Sequence, residues 1–167
     1  RGRLRLDRSR GNRLMLTRLG SFMRRSRVST AALPLVTNGG FDAGTTGWTL
    51  SNGAQISQAV VAGRMQLTAI VATNNQSYQT ISGLTAGANY QLTGTAKKLS
   101  ANLTSARVAV YDTAPAIVNL GNAAISGTLN VEVTGSVTFV APADGEVTIA
   151  MPLVGPTAIG LLAEFDN

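Results

Sequence analysis

Few side chains in this sequence can do acid–base, nucleophilic or metal chemistry. The 167 residues include no cysteine and no histidine, so thiolate nucleophiles, disulfides, thiolate metal sites and the commonest general base are all missing. Eight carboxylates remain, and their spacing does not suggest two that face each other across a cleft, as sugar-cleaving enzymes require. The sequence therefore predicts a protein that is not an enzyme.

The charged residues divide the chain into two parts. Residues 1–33 carry ten arginines and one aspartate, a net charge of +9. Residues 34–167 carry four basic and seven acidic residues, a net charge of −3. A chain of 167 residues is long enough for one ordinary domain with a core. We therefore predict a basic N-terminal anchoring arm over residues 1–33 and a folded body over residues 34–167.

One segment of the arm has the spacing of a short amphipathic helix. Between residues 12 and 25, apolar side chains recur at helical intervals, at Met15, Leu19, Phe22 and Met23. The arginines of the segment lie largely on the other sides of this helix: Arg13, Arg18, Arg24 and Arg25. An isolated helix of this length is marginal in water, so we expect the arm to dock onto a partner. Phe22 and the four arginines are the predicted anchoring residues.

Three kinds of partner suit the arm: nucleic acid, an anionic membrane surface, or another protein of an assembly. All its basic residues are arginines, which favours bidentate contacts to phosphate or carboxylate without distinguishing among these partners. The longest apolar run of the arm, Leu14-Met15-Leu16, is too short for a secretory signal or a membrane span. A solvated, disordered tail is the alternative interpretation.

The body has the pattern of an all-β sandwich. Segments rich in β-branched and alternating residues recur every eight to twelve residues, with turn residues between them. The predicted strands lie near 34–37, 47–51, 54–61, 64–71, 76–82, 88–98, 106–112, 128–140, 145–152 and 157–166. Residues 113–127 are small, rich in Gly and Ala and weakly periodic, so we predict a long loop there.

Four sequence segments of the body are more specific than this general pattern. They are Asn38-Gly-Gly-Phe-Asp with Gly47-Trp48; Tyr78-Gln-Thr-Ile-Ser-Gly-Leu-Thr-Ala-Gly-Ala-Asn-Tyr90 with Thr95-Ala-Lys97; Thr138-Phe-Val-Ala-Pro-Ala-Asp-Gly145; and Glu164-Phe-Asp-Asn167. Together they resemble the CenC-type carbohydrate-binding modules, over about residues 34–167. The resemblance implies a jelly-roll β-sandwich of the galactose-binding-like class. It also implies a non-catalytic protein that often binds a glycan chain in a shallow groove on one sheet.

If the body binds a glycan, outward-facing side chains of the predicted strands are the candidates. We expect Tyr78 and Tyr111 to stack on a sugar ring, and Gln91 and Arg107 to hydrogen-bond hydroxyl groups. The alternative is an ordinary solvated sheet face.

The body has few aromatic side chains that could line such a groove. Phe41, Trp48 and Tyr90 are predicted to pack in the core, and the sequence has only one Trp and three Tyr. Few aromatic side chains are then left to stack on sugar rings, which gives more weight to a structural or assembly role.

The resemblance also implies a structural calcium ion. In the family, the calcium ligands lie in the segments that correspond to the turn after Asn38 and to the C-terminal residues. Asp42 and Asp166 are the acids at these places in this sequence. Carboxylate and carbonyl oxygens suit calcium, and a shared ion would tie the first strand to the last. The alternative is that Asp42 caps its own turn and that Asp166 is a surface acid.

Of the functions that fit, we favour a structural protein of a bacteriophage virion. The arm would dock into the other proteins of a capsid or tail, as part of an oligomeric assembly. The jelly roll would project outward as a decoration or appendage and bind cell-surface glycan weakly. One alternative is a carbohydrate-binding module of a secreted glycan-active enzyme, and another is a coat protein whose arm packages nucleic acid.

Overall fold

The computed structural model describes residues 36–112 and 117–166, which contain ten β-strands. The strands are β1 (Thr49–Leu50), β2 (Ile56–Val61), β3 (Arg64–Ala69), β4 (Asn75–Ile81), β5 (Asn89–Lys98), β6 (Ser105–Asp112), β7 (Val118–Ser126), β8 (Glu132–Val140), β9 (Val147–Val154) and β10 (Leu162–Asp166). No helix in these two ranges has the length and apolar character needed to span a membrane.

The strands form two antiparallel five-stranded sheets. The front sheet has the order β1-β4-β9-β6-β7 and the back sheet has the order β2-β3-β10-β5-β8. Most neighbours within a sheet are distant in sequence, because the chain repeatedly crosses from one sheet to the other. This is the jelly-roll β-sandwich that the sequence predicted, and the predicted fold class is confirmed.

Alternation of apolar and polar side chains explains how each strand faces the core. In β3, Met65, Leu67 and Ala69 are buried, whereas the residues between them are partly exposed. In β10, Ala163 and Phe165 face inward in the same way. Phe165 lies opposite Met65 in the ladder, and both are fully buried. Burial of apolar side chains of this size stabilises the fold by about 1.5–3 kcal/mol each.

Two aromatic rings from the turn before β1 lie in the core, as predicted. Phe41 is 2% exposed and Trp48 is 7% exposed, and their ring centroids lie 5.8 Å apart. The indole Nε1 of Trp48 donates a hydrogen bond of 3.3 Å to the carbonyl of Asn38, which satisfies its polar atom. Tyr90 also faces inward and packs on Phe139 at 6.0 Å between centroids.

The predicted strand at 34–37 is not present in its described part. Residues 36–37 have no strand structure, and Thr37 instead exchanges two hydrogen bonds with the side chain of Gln79. Its N–H donates to Oε1 at 2.7 Å and its carbonyl accepts from Nε2 at 3.1 Å. A buried side-chain amide thus pairs this segment with β4 in place of a backbone ladder.

The predicted long loop over residues 113–127 is wrong for most of its length, because β7 occupies Val118–Ser126. Two register shifts interrupt the pairing of β7 with β6, and they break the alternation by which a strand is recognised in sequence. Gly121 has a φ of 155°, and a Cβ atom there would collide with the side chain of Val137. Glycine is required at this irregular position.

The outer side of the front sheet is covered at its centre. β9 lies between β4 and β6, and every residue from Val147 to Leu153 is buried. The outward-facing members of this run are Thr148, Ala150 and Pro152, so their burial comes from side chains of the neighbouring strands. A strand covered on both sides is expected to read as a nearly continuous apolar run, as β9 does.

Pro152 interrupts the ladder between β9 and β6. The register pairs Ala106 with Leu153 and resumes at Ala109, so residues 107–108 have no ladder partner in β9. Proline has no N–H to donate, which explains a gap at this level. The irregular point lies on the outer side of the front sheet, where the candidate site is found.

Candidate functional site

The outer side of the front sheet brings together three of the four residues predicted to contact a glycan. Tyr78 lies on β4, and Arg107 and Tyr111 lie on β6. Because β9 runs between these strands, the backbones of β4 and β6 are roughly 10 Å apart. All three side chains are partly exposed and point away from the core, as the alternation predicted.

Gln91 does not share this side of the molecule, which corrects the predicted grouping. It lies on β5 in the back sheet, where its Nε2 donates a hydrogen bond of 3.2 Å to Ser136 Oγ. Alternation indicated that Gln91 points outward, but it carries no information about the sheet to which a strand belongs. Gln91 therefore cannot complete one groove with Tyr78, Arg107 and Tyr111.

Two alanines lie in one cross-strand row with Tyr78 on the outer side of the front sheet. Ala150 lies opposite Tyr78 on one side and opposite Ala109 on the other. Both alanines point outward, lie outside the core cluster and are 0% exposed. Neighbouring side chains therefore cover both alanines, and Tyr78, which lies in their row, does not line the groove beside them.

A groove of about 430 Å³ opens on the same side of the front sheet, beside this row. Its lining residues are Ser51, Asn74, Asn75, Gln76, Arg107, Tyr111, Pro152, Leu153 and Val154. Six of these nine are polar and none is acidic. The volume is within the usual range for small-molecule sites, and the lining offers hydrogen-bond donors and acceptors with one cation and one aromatic ring.

Arg107 is held in place by a hydroxyl on its own strand. Its Nε donates a hydrogen bond of 2.9 Å to Oγ of Ser105, a residue that is 3% exposed. Guanidinium has five N–H donors, so its two terminal amino groups remain for other partners. Among residues 36–112 and 117–166, Arg107 makes no ion pair.

Tyr111 lies beside this guanidinium and keeps its proton. Burial raises the pKa of the Tyr111 phenol, and the charge of Arg107 offsets part of that rise. The phenol is therefore neutral at physiological pH and retains an O–H donor next to a ring that can stack on a ligand.

The other wall consists of residues that sequence reasoning did not select. Ser51 Oγ accepts a hydrogen bond of 3.1 Å from the backbone N–H of Gln76, and Asn74 Oδ1 accepts one of 2.7 Å from Gly155. The side chain of Gln76 makes no hydrogen bond within the described chain, so its amide is available to a ligand. The run Asn74-Asn75-Gln76, three amides in succession at the start of β4, is the signal that could have identified this wall.

The two acids predicted to bind calcium lie in different settings. Asp42 is exposed in the turn before β1, and Asp166 ends β10 opposite Thr95 in the back sheet. The described part of the chain brings together no group of three or more acidic side chains that could hold a metal ion.

The turn that contains Asp42 is closed by an amide. Asn38, with a φ of 52°, donates from Nδ2 to the carbonyls of Gly44 at 2.8 Å and Thr46 at 3.1 Å. Its Oδ1 accepts from the N–H of Ala43 at 2.9 Å, so Asn38 and not Asp42 caps the turn. A carbonyl oxygen that accepts one hydrogen bond keeps a second lone pair, so these contacts do not decide whether an ion binds, and the calcium ion stays a prediction.

The predicted anchoring residues of the arm lie outside the described residues. They are Arg13, Arg18, Phe22, Arg24 and Arg25. Their role in docking, the predicted helix and the boundary at residue 33 therefore stay predictions.

Solved structures with similar folds include carbohydrate-binding modules. One, described as "CBM4 structure and function", has a TM-score of 0.64 and 19% identity, covering 79% of this chain and 96% of that chain. Another is TmCBM61 in complex with beta-1,4-galactotriose, with a TM-score of 0.55 and 13% identity, covering 78% of this chain and 92% of that chain.

A bacteriophage protein also contains this fold. The enzymatically active domain of bacteriophage CBA120 tailspike protein 4 has a TM-score of 0.54 and 16% identity, covering 78% of this chain and 21% of that chain. No protein-family model matches the chain, and no curated protein sequence matches it. At these identities the similarity establishes the fold, and the sandwich is of the kind found in carbohydrate-binding modules.

Proposed function

We propose that residues 36–166 form a non-catalytic glycan-binding module whose site is the groove on the front sheet. The observation that carries this proposal is the lining of the groove, in which Tyr111 and Arg107 face Gln76 and Asn74 across β9. Sugars present CH groups that pack on aromatic rings and hydroxyls that pair with amides and guanidinium. The TmCBM61 complex, in which a similar fold is bound to a galactotriose, supports the same use of the fold here.

The composition of the groove supports binding without hydrolysis. Glycoside hydrolysis uses two carboxyl groups on opposite sides of the scissile bond, and the groove lining contains none. With one stacking ring and an open, solvated face, little free energy remains after the cost of association is met. We expect dissociation constants roughly in the micromolar to millimolar range.

Calorimetric titration of the full chain with a panel of polysaccharides tests this function. Tyr111→Ala and Gln76→Ala should each weaken binding by about 1 kcal/mol, roughly fivefold, because each removes a contact in the groove. Gln91→Ala removes a matched amide from the back sheet and should bind like the wild type. No binding to any glycan of the panel, or an equal loss in Gln91→Ala, would contradict the proposal.

We further propose that the module belongs to a bacteriophage virion, anchored in the capsid or tail through residues 1–33. The charge of +9 on this arm supports an anchoring role, and the fold similarity to tailspike protein 4 supports a phage context. The alternative, a module of a secreted glycan-active enzyme, leaves the charge of the arm unexplained.

Charge reversal in the arm tests the anchoring role. Replacing Arg18, Arg24 and Arg25 with Glu should abolish incorporation of the full chain into its parent particle, because like-charge contacts at an interface cost several kcal/mol. The melting temperature of the sandwich should not change. Normal incorporation of the triple variant would contradict anchoring, and release of wild-type chain by nuclease would identify nucleic acid as the partner.

A further inference from the structure

The basic residues of the described chain differ in how their charges are compensated. On the outer side of the back sheet, Arg64 forms an ion pair with Glu132, and Lys97 Nζ lies 4.0 Å from Glu164 Oε2. These two cations therefore have acidic partners within the protein itself. Arg64 and Lys97 on the back sheet are therefore both compensated.

Among the residues that the structure describes, the other two basic residues have only neutral partners. Lys98 is buried, at 8% exposure, and its Nζ donates to the carbonyl of Gly127 at 3.2 Å. Arg107 is partly exposed in the groove, and its hydrogen-bond partner is the hydroxyl of Ser105. Of the four basic residues in this part of the chain, Arg107 is thus the one that presents a charge to a ligand without an acidic partner.

The rest of the groove leaves this charge uncompensated. Its remaining lining consists of one phenol, one serine, three amides and three apolar residues, and it contains no carboxylate. Partial burial between β4 and β6 also limits how well water can solvate the guanidinium. A groove of this kind binds an anion better than a neutral group of the same shape.

The shape of the cation favours a carboxylate over other anions. Guanidinium is planar, and the terminal N–H groups of Arg107 match the two oxygens of a carboxylate in a bidentate contact. The bond from Nε to Ser105 restricts rotation of the guanidinium plane, so less entropy is lost when a ligand binds.

We propose that the ligand of the groove is an acidic polysaccharide, whose uronic-acid carboxylate binds Arg107 while the sugar ring packs on Tyr111. The amide of Gln76 and the amide of Asn74 then contact the neutral hydroxyls of the same chain. This assignment rests on the proposed glycan-binding function and specifies the class of glycan.

A matched pair of ligands tests the assignment. An oligogalacturonide and its carboxyl-reduced counterpart differ only in the carboxylates, and short oligomers limit contacts with the basic arm. Calorimetric titration of the full chain should give affinity at least about tenfold higher for the acidic oligomer, since hydrogen bonds to charged groups are the stronger ones. Arg107→Gln should remove this preference, and Arg107→Lys should retain only part of it.

Arg64→Gln is the control for the loss of one positive charge elsewhere on the protein. It removes one positive charge from the back sheet, so it should keep the preference for the acidic oligomer. Equal affinity for the two oligomers would overturn the assignment and leave glycan binding intact. A preference that survives in Arg107→Gln would also overturn it, because the arm would then be the anion site. If neither Tyr111→Ala nor Arg107→Gln changes the affinity for either oligomer, the groove is not the glycan-binding site.

Discussion

The Nε atom of Arg107 donates a hydrogen bond of 2.9 Å to Oγ of Ser105, two residues earlier on the outer side of β6. The bond forms where Pro152 interrupts the ladder, so a side-chain contact orders a stretch that lacks regular backbone pairing to β9. The side chain that we propose to bind a ligand and the hydroxyl that supports it therefore come from the same strand, on the edge of the groove.

Ser105→Ala should reduce ligand affinity several-fold by releasing the guanidinium of Arg107. It should also cost roughly 0.5–1.5 kcal/mol of stability, because one hydrogen bond is lost. Calorimetric titration and urea unfolding of the same samples separate the two effects. Ser57→Ala, an exposed serine on the back sheet, is the control and should change neither quantity. Unchanged affinity in Ser105→Ala would show that the bond does not position Arg107.

Stability at alkaline pH should depend on Tyr111. Burial raises the pKa of its phenol above the ordinary 10.0, against a smaller lowering by Arg107, so folding favours the neutral form. This contribution is fully present below the unfolded pKa and is lost as pH rises through the folded pKa. Urea midpoints measured between about pH 8 and about pH 11 should fall less steeply in Tyr111→Phe than in the wild type. An unchanged slope would contradict a perturbed phenol.

Gln79 should contribute strongly to stability, because its buried amide joins three backbone groups. It exchanges two hydrogen bonds with Thr37 and donates one of 2.8 Å to the carbonyl of Gly47. Gln79→Ala should cost about 2–4 kcal/mol in urea unfolding, since three hydrogen bonds of a buried amide are lost together. The neighbouring exposed Thr80→Ala should stay within about 0.5 kcal/mol of the wild type. A similarly small effect at both positions would contradict the stabilising role of these hydrogen bonds.

Asn38→Ala should destabilise the protein by about 1–3 kcal/mol, both in calcium and in chelator, because its amide closes the turn through three hydrogen bonds. Differential scanning calorimetry of wild type and variant under both conditions measures this. A loss confined to chelator would show that bound calcium makes the amide unnecessary for closing the turn.

A rise in melting temperature with calcium that Asp42→Ala or Asp166→Ala removes would support the ion predicted from the family resemblance.

The direction of side chains was predictable because it depends only on local alternation. Tyr78, Arg107 and Tyr111 point outward as expected, and Phe41 and Trp48 are in the core. Each of these predictions depends only on nearby residues, because successive side chains of a strand point to opposite faces and the turn residues lie next to Phe41 and Trp48.

The grouping of side chains was not predictable in the same way, because strand order is a long-range property. Gln91 has the same outward parity as Tyr78, yet β5 pairs with β8 and β10 in the back sheet. β7 was missed because small residues and two register shifts remove its alternation. Asn74 and Gln76 could be placed in the groove only once the pairing of β4 with β9 put them across from β6.

Chemical-shift mapping of the full chain with a bound oligosaccharide tests whether the glycan site lies on the front sheet. Backbone amide resonances should shift on β4, β9 and β6, around Gln76, Arg107 and Tyr111. Resonances of Gln91 and its neighbours on β5 and β8 should stay in place, because those strands lie in the opposite sheet. Shifts concentrated on β5 and β8, with none around Arg107 and Tyr111, would contradict a glycan site on the front sheet.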